Sequence, residues 1–244
     1  MRLDQLLLQK GLFSSRARAQ SAIKEGQVCV DGTIARRPSQ KVTADQKLHL
    51  GPAVMSYVSR GGIKLEAALD NFLINPDGLV CLDLGASTGG FCDVLLRRGA
   101  KKIYAVDVGQ GQLHPEISGC HNVINLEKTH SKTVTSDLIP EELDLLVTDV
   151  SFISLKKALP QSMQLLRAYA KLIALVKPQF ELGPKMIGKN GIVSATHQDY
   201  LDLQNDMETW FIQEGFTVKN YCESPIKGGD GNREFLLFAI KGTG

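Results

Sequence analysis

The chain has 244 residues, 43% of them hydrophobic and 22% charged, with a formal net charge of +2. That length holds one good core, or one core plus a small module, and the composition is that of an ordinary globular protein. No run of about 18 apolar residues occurs, which argues against a membrane-spanning helix.

The amino terminus, Met1-Arg2-Leu3-Asp4-Gln5, carries charge where a signal peptide needs an apolar stretch, so a cytosolic protein is expected. The cysteines Cys29, Cys81, Cys92, Cys120 and Cys222 form no Cys-x-x-Cys pair, and the histidines show no ligand spacing. Neither structural zinc nor a disulfide framework is expected, and no other metal site. Charge is divided unevenly. Residues 1–55 hold nine Lys or Arg against four acids, while the remainder holds nineteen against twenty-two. A basic module for a polyanion, joined to a near-neutral domain, fits that division.

Arg2-Leu3-Asp4-Gln5-Leu6-Leu7 opens a short amphipathic helix that Gly11 should end. A second helix starts at a serine cap in Ser14-Ser15-Arg16-Ala17-Arg18 and stops at Gly26. Its apolar face holds Ala19, Ala22 and Ile23, while Arg16 and Arg18 can point outward. Val28-Cys29-Val30 and Thr33-Ile34 form a hairpin across Asp31-Gly32, and Lys47–Leu50 supplies a third strand. This pattern resembles the RNA-binding domain shared by a small-subunit ribosomal protein and pseudouridine synthases. The resemblance implies that a basic helix face meets RNA phosphates, with Arg2, Arg16, Arg18, Lys24, Arg36 and Arg37 as candidates.

Residues 1–55 therefore read as one domain, 56–62 as a linker and 63–244 as a second domain. Ile63 to Phe72 is a helix with Leu65, Ala68, Leu69 and Phe72 as its apolar stripe. Leu79-Val80-Cys81-Leu82 then runs as a buried strand into Asp83-Leu84-Gly85-Ala86-Ser87-Thr88-Gly89-Gly90-Phe91 and a following helix. Gly85 and Gly89 let a ligand approach the main chain. Asp83 disfavours a phosphate there but suits the ammonium of an amino acid. A second strand, Lys102–Val106, ends in Asp107, which can accept both ribose hydroxyls of an adenosine. Two acidic strand ends around a glycine turn, without a phosphate-binding lysine, fit S-adenosylmethionine better than NAD or ATP. The cofactor candidates are Asp83, Gly85, Ala86, Ser87, Gly89, Gly90, Phe91, Asp107 and Asp149.

Further strands are expected at Val123–Leu126, Leu143–Asp149 and Leu172–Lys177, with a helix over 155–168. A helix over His197–Glu214 and strands at Thr217–Tyr221 and Glu234–Ile240 close the chain. Alternating strands and helices imply an α/β fold with a mostly parallel sheet and one antiparallel strand. Ligands of such sheets sit at the carboxyl ends of the parallel strands. Asp149 and Lys177 end two of them, and an antiparallel last strand would start at the same rim with Glu234. Lys64, on the helix entering the domain, is the remaining basic candidate.

These residues resemble the ribose 2′-O-methyltransferases built on a Lys-Asp-Lys-Glu tetrad. More closely, the chain resembles the hemolysin-like TlyA family, which adds the amino-terminal RNA-binding module. The motifs are Ser59–Leu65, Asp83–Phe91, Val147–Leu155, Leu175–Glu181 and Gly228–Phe235. The resemblance implies a Rossmann-like class I methyltransferase with a seven-stranded sheet and a small α+β RNA-binding domain. It also implies the tetrad Lys64, Asp149, Lys177 and Glu234, and methylation of cytidine riboses in ribosomal RNA or ribosomal subunits. Lys177 is assigned as the general base, with Lys64 disfavouring a second ammonium and Asp149 and Glu234 orienting the lysines. The carboxylates oppose a lowered pKa, and residue types alone leave open which lysine is neutral. Tyr57-Val58-Ser59 stands where some relatives carry a tryptophan. Two rival readings are a non-catalytic RNA-binding assembly factor and a pore-forming hemolysin.

Overall fold

The computed structural model describes residues 1–13, 15–24, 26–50, 57–188 and 191–243. Two units divide it, Met1–Arg60 and Gly61–Gly244.

In the first unit, α1 (Leu3–Gln9) and α2 (Arg16–Lys24) precede β1 (Val28–Val30), β2 (Thr33–Ala35) and β3 (Leu48–Leu50). Leu3, Leu6 and Leu7 recur at helical spacing, so α1 buries one stripe against Ala19, Ala22 and Ile23 of α2. Ser14 lies outside the described residues. Ser15 supplies the cap, its Oγ accepting the Arg18 N–H at 3.3 Å. β1 is the central strand, antiparallel to both neighbours, in the order β2-β1-β3. Asp31 and Gly32 take φ of 49° and 81°, the left-handed pair that a two-residue hairpin needs to match strand twist.

The second unit opens with α3 (Gly61–Asn71). Gly61 and Gly62, expected in the linker, instead form its first turn, and residues 51–56 lie outside the described residues. There follow β4 (Val80–Leu84), α4 (Gly90–Arg97), β5 (Lys102–Val106), α5 (Pro115–Ser118), β6 (Val123–Leu126) and β7 (Leu143–Thr148). Then come α6 (Leu155–Ala158), α7 (Pro160–Gln164), β8 (Leu166–Val176) and α8 (Pro178–Glu181). The chain closes with α9 (His197–Gln213), β9 (Phe216–Glu223) and β10 (Phe235–Lys241). The sheet order is β6-β5-β4-β7-β8-β10-β9. All pairs are parallel except those of β10, which runs antiparallel to β8 and β9. The expected α/β fold is borne out, a Rossmann-like seven-stranded sheet with one reversed strand.

One element differs. The helix expected over 155–168 is two short helices, broken at Pro160, and β8 starts at Leu166. Its first residues pair only loosely: Leu143 faces Leu166, but Leu145 already faces Lys171, so Arg167–Ala170 bulge outward. Leu82, Leu84, Leu146, Leu172, Ala174 and Leu237 build one layer of core, with Leu203, Met207 and Phe211 of α9 packed onto it. Buried strands on both sides of β4 and β7 hold the carboxyl ends of those strands rigidly.

Candidate active site

The sheet reverses direction of winding between β4 and β7, and a crevice at such a switch point receives the ligand of this architecture. After β4 the chain turns at Gly85, with φ of 86°. The Gly85 and Ala86 N–H groups both donate to the Val106 carbonyl, at 2.8 and 3.0 Å. A Cβ at Gly85 would stand 3.1 Å from Val150 Cγ1 and 3.2 Å from the Asp149 carbonyl oxygen. Gly89, with φ of 90°, leads into α4, and a Cβ there would stand 2.8 Å from Leu113 Cδ1. Side chains are excluded at both places by backbone conformation and by space.

Asp83 is fully buried. Cys92 Sγ donates to its Oδ2 at 3.1 Å, and Oδ1 has no hydrogen-bond partner. Burial pushes its carboxyl up to about 7, the Cys92 hydrogen bond opposes this, and the charges of Asp149 and Asp107 add to it. An orphaned carboxyl oxygen beside a glycine turn leaves an acceptor for a donor on a ligand, and an ammonium suits its charged form. Asp107, one strand over, accepts the Ser87 N–H at 2.8 Å and the Gly109 N–H at 2.7 Å, one on each oxygen. Each oxygen keeps a second lone pair for a hydroxyl. These residues fit S-adenosylmethionine, with Asp83 for the amino-acid ammonium and Asp107 for the ribose hydroxyls. Ala86, Ser87 and Gly90 lie along the same turn. Phe91 is 4% exposed in the first turn of α4, so its side chain is packing rather than an open contact.

Lys64, Asp149, Lys177 and Glu234 converge beside that turn. Lys64 reaches in from α3, Asp149 follows β7, Lys177 caps α8 after β8, and Glu234 precedes β10. Reversal of β10 is what brings Glu234 to the rim where the parallel strands end. Lys64 Nζ lies 2.5 Å from Glu234 Oε2 and 3.8 Å from Asp149 Oδ2. Lys177 Nζ lies 2.6 Å from Asp149 Oδ1. Two cations and two anions thus alternate in a chain, Glu234–Lys64–Asp149–Lys177, in which burial of each charge is offset by the next. Only Asp149 has much side-chain exposure, at 21%.

Several neighbours escape sequence reasoning. Ser151 Oγ accepts a hydrogen bond from Lys177 Nζ at 2.7 Å. Its position two residues past a strand-end acid is the only signal. Phe152 is 92% exposed with φ of 64°, its ring 5.3 Å from that of Phe180. Glu181 accepts the Leu155 N–H at 2.8 Å, and burial pushes its carboxyl up to about 7. Cys92, read as packing alone, also donates its thiol hydrogen bond to Asp83.

The basic candidates of the first unit fall into two groups. Arg2 Nε and Arg16 Nε both donate to Asp4, at 2.9 Å each, and Gln20 Nε2 donates at 2.7 Å. Asp4 is fully buried, and these donors, Arg2 first, hold its carboxyl well below the usual carboxylate range. Arg16 therefore does not simply point outward, as expected from the helix face. Its guanidinium is braced at one edge and half exposed at the other. Lys24, Arg36 and Arg37 are exposed, and Arg18 is half-buried.

The FtsJ-like methyltransferase family matches residues 57–241, and the S4 domain matches residues 1–48. The 16S/23S rRNA (cytidine-2′-O)-methyltransferase TlyA of Mycobacterium tuberculosis is 38% identical over 97% of this chain and 88% of its own length. Hemolysin A of Brachyspira hyodysenteriae is 37% identical over 98% of this chain and all of its own. A solved structure of a hemolysin candidate from Streptococcus thermophilus is 38% identical, with a TM-score of 0.79, covering 99% of this chain and 88% of that one. The resemblance drawn from the motifs is borne out. The chain belongs to the FtsJ-like methyltransferase family and, through its S4 domain and full-length relatives, to the TlyA group within it.

Proposed function

We propose that this protein transfers a methyl group from S-adenosylmethionine to a cytidine ribose 2′-hydroxyl in ribosomal RNA, with Lys177 as general base. The observation that carries the reading is the buried chain Glu234–Lys64–Asp149–Lys177 set against the Asp83–Gly89 turn. The relatives named for rRNA cytidine-2′-O-methylation support the substrate class.

When bound, the cofactor supplies an electrophilic methyl on a sulfonium, which is already a good leaving group. Asp83 Oδ1 would hold the ammonium and Asp107 the ribose hydroxyls. Lys177 Nζ accepts the proton of the 2′-hydroxyl as that oxygen attacks. Asp149 orients Lys177, and Lys64 neutralises Asp149 while Glu234 holds Lys64 in place. Phe152, an exposed ring at the rim braced by Phe180, is suited to stacking on an unpaired base. In this reading the S4 unit docks the RNA through Arg2, Arg16, Arg18, Lys24, Arg36 and Arg37, as phosphate contacts that give affinity and register. A ribosomal RNA substrate implies work in the cytoplasm.

A hemolysin reading follows some relatives' names, yet no described helix is long and apolar enough to cross a membrane. The test is methyl transfer from labelled cofactor to ribosomal subunits that lack ribose methylation, with nucleosides identified by mass spectrometry. The expected product is 2′-O-methylcytidine. Label on a base, or no transfer to either subunit by a protein that binds cofactor, would overturn the proposal.

A further inference from the structure

Among the described residues, two side-chain oxygens stand against Lys177 Nζ, and one of them belongs to the tetrad. Asp149 Oδ1 stands 2.6 Å from Nζ, and Ser151 Oγ accepts its hydrogen bond at 2.7 Å. Lys177 is 7% exposed, so water competes little for its N–H groups. Beyond its carbon, a lysine nitrogen has three tetrahedral directions. In the neutral amine two of them carry hydrogens and the third carries the lone pair.

Resting on the reading of Lys177 as base, we propose that Ser151 is a positioning residue for the methyl transfer. Its hydroxyl takes one Lys177 N–H, and the charge of Asp149 Oδ1, an ion-pair contact without hydrogen-bond geometry, draws the second hydrogen to its side, so that the lone pair is left to face the ribose hydroxyl. The proton then leaves the 2′-oxygen for that lone pair while the oxygen bonds the methyl carbon. The electron pair of the carbon–sulfur bond stays on sulfur, and Ser151 neither gains nor loses a proton. Asp149 alone would let the amine rotate about the Cε–Nζ bond, and a misaimed lone pair loses the benefit of a prearranged geometry.

The surroundings hold Ser151 to this task. Its loop runs from Asp149 to Ser154 and leads into α6, while Lys177 leads into α8, which ends at Glu181. The two are tied beyond the lysine itself, by Phe152 against Phe180 and by the Leu155 N–H on Glu181. Val150, the preceding residue, is packed beside Gly85. Ser151 itself is exposed, so nothing in the core requires a hydroxyl there, and among the described residues its side-chain hydrogen bond is with the lysine.

The charged groups facing Lys177 are Asp149 directly, with Lys64 and Glu234 behind it on α3 and at the start of β10. Ser151→Ala leaves all of them in place. Single-turnover methyl transfer should be followed against pH at saturating RNA and cofactor, with both dissociation constants measured separately. Ser151→Ala should lower the plateau rate about tenfold. It should also lower the pH midpoint of the profile, because the protonated amine loses an acceptor. Both dissociation constants should stay within about twofold of wild type, and 15N NMR of labelled lysines should show the same displacement of the Nζ titration without any turnover. Ser151→Thr, which keeps the hydroxyl, should restore rate and midpoint.

A Ser151→Ala enzyme with wild-type plateau and midpoint would overturn the proposal. So would a loss confined to RNA affinity, or a folded Ser151→Thr protein as slow as Ser151→Ala. Lys177→Ala, run beside them, separates the two ideas. Wild-type activity in Lys177→Ala defeats the base assignment, whereas an inert Lys177→Ala with an unaffected Ser151→Ala defeats only the role of Ser151.

Discussion

Lys64 Nζ and Glu234 Oε2 meet at 2.5 Å across 170 positions of sequence, and both side chains are no more than 5% exposed. A buried pair of this kind is costly to break from one side, because Lys64 would keep only the more distant Asp149, at 3.8 Å and already shared with Lys177. Glu234→Ala should therefore lower unfolding free energy by about 3–5 kcal/mol in urea titrations. Glu234→Gln, which keeps the shape and one acceptor, should lose less. Equal stability of Glu234→Ala and wild type would mean that Lys64 finds other company.

Gly228 offers a way to disturb Glu234 without changing it. A Cβ at Gly228 would run into Glu234 Oε1 and crowd its carboxyl carbon, at 3.1 Å. The Gly228 backbone does not adopt positive φ, so alanine itself is not strained there. Gly228→Ala should displace the carboxylate from Lys64 and slow single-turnover methyl transfer, with cofactor affinity from calorimetry retained. A Gly228→Ala enzyme at full rate would show that the carboxylate position is not critical.

Lys177→Arg tests charge against basicity. A guanidinium keeps the positive charge beside Asp149 but stays protonated and cannot accept a proton. Losing a general base costs about 10²–10⁴-fold in rate, so both Lys177→Arg and Lys177→Ala should fall into that range in single turnovers. Binding of cofactor and RNA should hold, since the role is confined to the transition state. Substantial activity in Lys177→Arg would move the base to Asp149 or to solvent.

How much of this was legible depends on which forces fixed each part. The run Leu79–Leu82 into Asp83-Leu84-Gly85 could be read because an apolar strand, a glycine turn and a helix each leave a local signature. Glu234 could be placed at the rim once the last strand was taken as reversed, which is a rule of topology rather than of local sequence. The stretch 155–168 could not. Leu155, Ala158, Leu159 and Met163 have helical spacing, but Pro160 divides the helix and pairing with β7 claims Leu166 onward for the sheet. Arg16 was read as an outward charge because nothing local reveals that Asp4, twelve residues earlier, is buried and needs donors. Ser151 was hidden for the same reason: its partner lies 26 residues away on another strand end.

Asp83 predicts a pH dependence. Burial raises its folded pKa to about 7 from the ordinary 3.8 of an aspartate, so the folded protein binds this proton more tightly than the unfolded chain. The sign follows: its contribution to stability is complete below pH ~3.8 and is lost as pH rises through about 7. The ligand-free protein should melt lower at pH 8 than at pH 6, and Asp83→Asn should flatten that difference. Cofactor affinity should run the other way, rising through pH 7 as the carboxylate forms to meet the ammonium. An identical pH dependence of melting in Asp83→Asn would remove Asp83 as its origin.

The braced arginines and the exposed ones should behave differently in RNA binding. Arg36 and Arg37 are exposed, so replacing both with alanine removes two positive charges with little effect on the fold. If they contact phosphates, fewer counterions are released, and the slope of log K against log salt should flatten by roughly 1–2. Arg16→Ala should flatten the slope too, but it also strips a donor from buried Asp4, so its S4 unit should melt earlier. Asp4→Asn separates the two roles: it keeps the arginine charges and loosens their brace, so affinity should fall while the salt slope is largely kept. Arg36 and Arg37 variants with wild-type affinity and slope would show that RNA docks on another face of the module.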